Sequence, residues 1–183
     1  GMKYSPYPPY EILKTKDISY DELLELKKVE EMVDKYYNSQ KFNNIIKYLV
    51  KKFKTPFDFY FELGNFINEK GYFNRSINNN DYYKVFLEFN SEVLKEDNFY
   101  LKELIRYDYL RTNKKRGIPE FLKNSMNKEE ENYIKEKLRD KYSFKDKYIE
   151  KFEISIERFE KMGELIEEPE YYVFGYKLTY EKI

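Results

Sequence analysis

Hydrophobic residues recur at steps of three and four through most of the first 110 positions, a spacing that places them on one face of an α-helix. The capping-box pattern Ser19-x-x-Glu22 predicts the start of a first helix, and Thr55 followed by Pro56 predicts the start of a third. Gly71 is a typical end signal for that third helix. The predicted helices cover residues 19–37, 40–53, 56–70, 81–95 and 97–110. The side chains expected to face the core are Leu23, Leu26, Val29, Met32, Val33, Tyr36, Ile45, Ile46, Leu49, Phe53, Phe57, Tyr60, Phe61, Leu63, Phe66, Ile67, Tyr82, Val85, Phe86, Phe89, Val93, Leu101, Leu104, Ile105, Asp108 and Tyr109.

The helical pattern continues beyond the third helix and changes only toward the C-terminus. Asn80 is expected to cap the fourth helix, residues 111–126 are expected to be irregular, and Asn127 with Glu130 predicts one more short helix to about residue 139. Apolar residues then alternate at a period of two, which is typical of strands. The two predicted strands cover residues 147–159 and 171–180, joined by the acidic segment 160–170. The pattern therefore predicts a mainly α (α+β) fold, a compact bundle of about five or six helices with a C-terminal β-ribbon.

Three prolines near the start, Pro6, Pro8 and Pro9, predict an extended arm or linker over residues 1–18. Such an arm is typical either of a connection from an upstream segment or of a frayed terminus. Residues 19–183 are predicted to form a single helical domain whose hairpin covers about residues 147–180. Gly1 before Met2 resembles the remnant of a cleaved tag, so we expect the natural polypeptide to begin elsewhere.

Composition excludes several kinds of chemistry. The 183 residues include no His and no Cys, which excludes Cys/His zinc sites, thiolate-bound iron–sulfur clusters, His-based triads and Cys nucleophiles. No two of the six glycines are closer than seven residues, so no dinucleotide fingerprint or phosphate-binding loop can be written. Lys+Arg and Asp+Glu both total 34, and this balance argues against a nucleic-acid binder. With no apolar run of membrane-spanning length and no signal pattern, we expect a cytoplasmic location and no membrane partner.

Aromatic residues make up 20% of the chain, with 21 Tyr and 15 Phe, while Ala is absent. This bias is typical of codon drift in an AT-rich genome, and a functional aromatic surface is the alternative interpretation. In either case Tyr and Phe must fill the core that smaller apolar residues usually fill. We therefore expect a bulky aromatic core.

Charged residues offer few candidates for function. Asp108 lies near the apolar face of its predicted helix, where a carboxylate needs a partner such as Arg106, Arg111 or a backbone donor. It is interpreted either as a structural hydrogen bond or as a contact for a ligand or partner. Residues 41–54 contain five lysines and no acid, and we interpret them as a solvated helix face or, alternatively, as a docking face. Clustered acids at 129–131 are expected to be solvated residues in a helix's first turn.

Several stretches of the chain together resemble a domain of unknown function found at the C-terminus of cobalamin-binding radical S-adenosylmethionine proteins. They are PPYEILKTKDISYDELLELKKVEEMVDKYYNSQKF (residues 8–42), FKTPFDFYFELGNF (53–66), LIRYDYL (104–110) and IPEFL (118–122). The resemblance covers about residues 8–125, and the C-terminal ribbon matches less closely. In that family an N-terminal cobalamin domain and a barrel with a three-cysteine motif perform the chemistry. Neither is present here, so the resemblance implies an accessory domain from an anaerobe's enzyme.

The resemblance implies no catalytic, cofactor-binding or metal-binding residues in this chain. S-adenosylmethionine, the iron–sulfur cluster and cobalamin would belong to the parent enzyme, and the expected partner is the catalytic barrel of the same polypeptide. The candidate contact surface comprises Tyr36, Tyr37, Asn38, Ser39, Asp108, Tyr109 and Arg111. Two alternatives stay open: a stand-alone helical interaction module that uses the lysine face or the ribbon, and a small carboxylate-dependent enzyme. The sequence does not fix the oligomeric state.

Overall fold

The computed structural model describes residues 3–7, 12–72, 78–113, 118–123, 126–175 and 180–183. The fold is mainly α with a C-terminal antiparallel ribbon, which confirms the predicted class. The α-helices are α1 (Tyr20–Met32), α2 (Asn43–Val50), α3 (Pro56–Glu69), α4 (Asp81–Phe89), α5 (Phe99–Thr112), α6 (Lys128–Leu138) and α7 (Ile156–Met162). The strands are β1 (Lys3–Tyr4), β2 (Ile12–Lys14), β3 (Lys147–Phe152), β4 (Glu170–Gly175) and β5 (Tyr180–Lys182). None of the helices in the described ranges is long and apolar enough to cross a membrane.

The chain divides into two compact units. The first comprises Gly1–Gln40 and Val50–Ser76, and the second comprises Lys41–Leu49 and Ile77–Ile183. In the predicted arm, β1 pairs with β2 in antiparallel fashion, while Pro8 and Pro9 lie outside the described residues.

In the first unit α1 packs against α3. A Cβ added to Gly64 would lie 3.3 Å from Cγ of Met32, so the two helices approach closely at this glycine. Both predicted starts are confirmed: Ser19 and Glu22 form a complete capping box, as do Thr55 and Asp58. Their reciprocal bonds satisfy backbone amides that a helix's first turn leaves without partners.

The predicted apolar faces are wrong at a few positions. Leu26 in α1, Phe57 in α3 and Val93 after α4 are 42%, 46% and 39% exposed. Phe57 belongs to the first turn of α3, Leu26 lies in the middle of α1, and Val93 lies in a π-helical turn, Asn90–Leu94, that follows α4. A π-turn has more residues per turn than an α-helix, so the three- and four-residue spacing no longer indicates the core face there.

The predicted bounds of the first two helices and the predicted cap of the fourth also differ from the structure. A π-helical turn over Val33–Asn38 follows α1, and Gln40 then adopts a positive φ of 57°, so α2 is shorter than the predicted 40–53 helix. The predicted cap Asn80 makes no side-chain capping bond; Oδ1 of Asn78 instead accepts the amide hydrogens of Asn80 and Asp81. Asn78 can accept these hydrogen bonds because the chain turns just before α4, and the spacing of residues in the sequence does not indicate that turn.

The C-terminal sheet has the strand order β3-β4-β5, with both pairs antiparallel. In the register of the first pair, Lys147 is opposite Gly175 and Phe152 is opposite Glu170. The prediction of a strand through residue 159 is wrong, because Ser155 caps a new helix, α7, within the connection. Ile154 and Ile156 are buried as their apolar character indicated, one in the turn and the other in α7.

Aromatic side chains fill the space between the sheet and α5, which confirms the expected bulky core. The ring of Tyr107 in α5 meets those of Phe152 and Tyr172 edge-on, with centroids 5.5 and 5.4 Å away. Tyr148 and Phe174 stack nearly parallel across the β3–β4 pair at 5.7 Å. Edge-on and offset contacts of this kind add to the stabilisation from burial.

Candidate functional site

The most completely buried acidic side chain of the described chain, Asp108, lies at the N-terminus of α2. It is 0% exposed. Its Oδ2 accepts the backbone amide hydrogens of Asn44 (2.8 Å) and Ile45 (3.1 Å), and its Oδ1 accepts the side-chain amide of Asn44 (2.8 Å). These amides lie in the first turn of α2, where a helix has no internal acceptors and where its dipole favours a negative charge. Asp108 therefore caps α2 from a different helix, α5.

The network continues from Asn44 to α7. The Asn44 side-chain amide also donates to Oε1 of Glu160 (3.2 Å), which in turn pairs with Nη1 of Arg111 (3.4 Å). Lys47 in α2 donates to the backbone carbonyls of Phe159 (2.9 Å) and Glu160 (2.7 Å), so it satisfies acceptors near the end of α7. Lys47 is thus bound within the chain, which weakens the docking interpretation of the lysine face.

A second group of polar contacts surrounds the end of α5. The hydroxyl of Thr112 donates to the backbone carbonyl of Asp108 (2.9 Å), and the side-chain amide of Asn113 donates to the hydroxyl of Tyr83 (3.0 Å). Tyr109 is 2% exposed, with its ring edge-on to that of Tyr83 at 5.0 Å. These contacts fix the helix end that carries Asp108.

Burial raises the pKa of Asp108 to about 6, although the bond from Asn44, the charge of Arg111 and the α2 amides act in the opposite direction. The folded chain therefore holds the Asp108 proton more tightly than the unfolded chain, in which an aspartate has a pKa of about 3.9. This contribution to stability is fully present below the unfolded pKa and is lost as the pH rises through the folded one.

We therefore expect the free energy of unfolding of the wild type, relative to Asp108→Asn, to fall by about 2 kcal/mol between pH 4.5 and 7. Urea denaturation of both proteins across this range measures the difference. Burial also raises the pKa of Glu103. Its contribution to the pH dependence cancels in the comparison, because both proteins contain Glu103. A difference that stays constant across the range would contradict the raised pKa.

The other predicted contact residues lie in the first unit, in and just after the π-turn that follows α1. Tyr36 is buried, Tyr37 is 54% exposed, and the Asn38 side chain donates to Oδ1 of Asp34 (2.6 Å). The Ser39 hydroxyl donates to the backbone carbonyl of Tyr36 (3.2 Å). Their contact role stays a prediction, in which Tyr37 and Asn38 offer the exposed side chains.

Sequence reasoning missed a buried ion pair on α5. Glu103 and Arg106 are 6% and 3% exposed and lie 3.1 Å apart, with the guanidinium stacked 4.5 Å from the centre of the Phe152 ring. Arg106 also donates to the backbone carbonyl of Lys151, and Glu103 accepts the amide hydrogen of Glu153 (2.9 Å). The pair thus ties α5 to the end of β3. Its sequence signal is two charges three positions apart that flank two core residues.

A third buried carboxylate, Glu170, was also missed. Its Oε1 accepts from Ser155 (2.5 Å) and Lys182 (2.6 Å), and its Oε2 accepts from the Tyr172 hydroxyl (3.0 Å) and the Glu157 amide (3.2 Å). Burial acts to raise the pKa of Glu170, but these donors outweigh it and lower the pKa. Glu170 thereby joins β4 to the start of α7 and to β5.

The three carboxylates share one arrangement. Asp108, Glu103 and Glu170 each accept at least one backbone amide hydrogen from a different element, so their oxygens are engaged in holding elements together. Within the described ranges no three acidic side chains are grouped so that they could hold a metal ion. Asp108 thus has the backbone donors that one of the two interpretations expected, and its role in contacting a ligand or partner stays a prediction.

Comparison with known proteins identifies a family for this chain. The model of a family described as "Protein of unknown function (DUF4080)" matches residues 1–177. Neither the curated proteins nor the solved structures include a significant match.

Proposed function

Because the chain belongs to the DUF4080 family of proteins of unknown function, we propose that it is a non-catalytic accessory domain of a cobalamin-dependent radical S-adenosylmethionine enzyme. In this proposal it packs beside the catalytic barrel of the same polypeptide and shapes the access of substrate. The resemblance of the stretches at residues 8–42, 53–66, 104–110 and 118–122 to that enzyme class's C-terminal domain supports the proposal.

The observation that carries the non-catalytic part is the use of three of the four buried carboxylates of the described chain, all but Glu150. A general acid, base or nucleophile needs an atom that can reach a substrate. Asp108, Glu103 and Glu170 instead direct their oxygens to backbone amides of neighbouring elements. Acidic residues that are bound in this way hold neighbouring elements together, and this arrangement supports a role in packing.

The cofactors of the parent enzyme do not fit this chain. An iron–sulfur cluster is bound by thiolates, and the chain contains no Cys. We therefore assign the cluster, S-adenosylmethionine and cobalamin to the remainder of the parent protein, and no step of its reaction to these residues. On the side of this chain, Tyr37 and Asn38 are the exposed members of the predicted contact surface.

The length of the natural polypeptide tests the proposal. An antibody raised against the 183-residue chain is used on a blot of anaerobically grown cells that make the protein naturally. We expect a band larger than 22.7 kDa by at least a barrel of about 200 residues. Mass spectrometry of that band should give peptides with a three-cysteine motif as well as peptides from this chain.

A matched blot with antibody pre-absorbed on the purified chain is the control for cross-reaction. A single specific band near 22.7 kDa, with peptides from this chain alone, would overturn the proposal. That result would favour the stand-alone helical interaction module instead.

A further inference from the structure

A shallow groove of about 470 Å³ lies between α6 and the C-terminal sheet of the second unit, away from Asp108. We call it the α6 groove. Its floor is apolar and comprises Ile134, Leu138, Tyr171 and Ile183. These residues pack on a buried cluster of Tyr142, Ile149 and Val173 that supports them from below. The volume is within the range of small-molecule sites, which are mostly apolar with a few polar groups.

The rim of the α6 groove carries a positive charge. The Lys137 ammonium lies 4.4 Å from the centre of the Tyr133 ring, which is itself 59% exposed. Within the described ranges Lys137 has no carboxylate at ion-pair distance, whereas Lys135 on the same helix pairs with Glu131 (2.5 Å). The cation–π contact holds the ammonium at the mouth of the groove.

Among the described residues that line the groove, the one acidic side chain, that of Glu130, is already engaged. The Glu130 carboxylate accepts the Tyr171 hydroxyl (2.7 Å) and pairs with Lys151 (3.3 Å). These donors lower the pKa of Glu130, so it stays ionised and bound to them. The mouth of the groove therefore presents an apolar surface beside the Lys137 ammonium, with which no carboxylate side chain of the described residues forms an ion pair.

We propose that the α6 groove binds a small amphipathic carboxylate, with its apolar body on Ile134 and Leu138 and its carboxylate beside Lys137. A hydrocarbon body replaces water on the floor, which is the main source of affinity in an apolar site. The ion pair with Lys137 then selects a carboxylate over a neutral or cationic head group. This site is independent of the proposed accessory role.

Titration of the ¹⁵N-labelled 183-residue chain with decanoate, followed by NMR, tests the proposal. Decanol and decylamine serve as probes with the same chain and a different head group. We expect saturable shifts at Ile134, Leu138 and Ile183 with decanoate at submillimolar concentration. Lys137→Gln should weaken decanoate about fivefold, the order of one exposed ion pair, and leave decanol unchanged. Octanoate should bind on the order of tenfold more weakly, if both missing methylenes are buried.

Lys128→Gln is the matched control, because Lys128 is an exposed lysine on the same helix that does not line the groove. It should bind decanoate as the wild type does. Equal binding of all three probes, or no shifts below 1 mM, would overturn the proposal. So would a homodimer, measured by sedimentation, whose formation Tyr133→Ala abolishes, because a second copy would then be the occupant.

Discussion

Replacing Asp108 with alanine is expected to lower the free energy of unfolding at pH 7 by about 3 kcal/mol, because it removes an acceptor from three buried donors. Two are backbone amides in the first turn of α2, which are left without an acceptor, and the third is the Asn44 side chain, which keeps Glu160. Water does not readily replace a carboxylate that is completely buried. Urea denaturation followed by circular dichroism measures the loss.

The Asp108→Asn variant keeps the shape of the side chain and removes its charge. Its amide oxygen still accepts both backbone amide hydrogens of α2, but its NH₂ group faces the NH₂ group of Asn44. Rotating the Asn44 amide would turn its oxygen toward Glu160, which is also an acceptor. We therefore expect a loss about half that of the alanine variant.

Asp140→Ala is the control, since its side chain is 97% exposed and its loss should be within about 0.5 kcal/mol of zero. If Asp108→Ala were as stable as this control, the capping role of Asp108 would be wrong.

Replacing Arg106 with methionine is expected to cost about 3–5 kcal/mol, because it leaves the Glu103 carboxylate buried without its cation. The substitution also removes the guanidinium from the Phe152 ring and from the Lys151 carbonyl. Methionine keeps most of the apolar volume, so the loss reports on charge more than on a cavity. Thermal and urea unfolding provide the measurement.

A double variant tests the stated cause. Glu103→Gln in the Arg106→Met background removes the uncompensated charge and keeps an oxygen that can accept the Glu153 amide. We expect it to recover about half of the lost stability. Arg139→Ala, with a side chain 72% exposed, is the matched arginine control and should change little. A double variant no more stable than Arg106→Met would show that charge burial is not the cause.

The features that could be predicted from the sequence are local ones. The Ser19–Glu22 and Thr55–Asp58 boxes connect residues three apart, so their pattern is visible in the chain itself. The three- and four-residue spacing also indicated buried positions in α2 and α5 correctly. It did not indicate that α5 is buried at Glu103, Arg106, Tyr107 and Leu110 as well. Asp108 stood out because a charge on such a face needs a partner.

The features that could not be predicted depend on partners far along the chain. Nothing near Asp108 indicates that its donors come from residues 44 and 45, which lie 64 and 63 positions away. Alternating apolar residues through position 159 favoured one long strand, whereas Ser155 caps a helix there and Glu170 accepts the Glu157 amide hydrogen in its first turn. The period of two indicated buried positions correctly and the backbone conformation incorrectly.

Two sets of long-range hydrogen bonds hold α2 in place: those from its first-turn amides to Asp108, and those from Lys47 to the carbonyls at the end of α7. They determine the order in which the second unit can be completed during synthesis. The amides in the first turn of α2 have no carboxylate acceptor until Asp108 has been translated. Lys47 has no carbonyls to bind until Phe159 and Glu160, which lie 112 and 113 positions further along the chain, have emerged. An eight-residue helix is too short to be stable alone in water. On the ribosome α2 must therefore wait for nearly the whole chain, whereas α1 and α3 can already pair once residue 69 has left the exit tunnel.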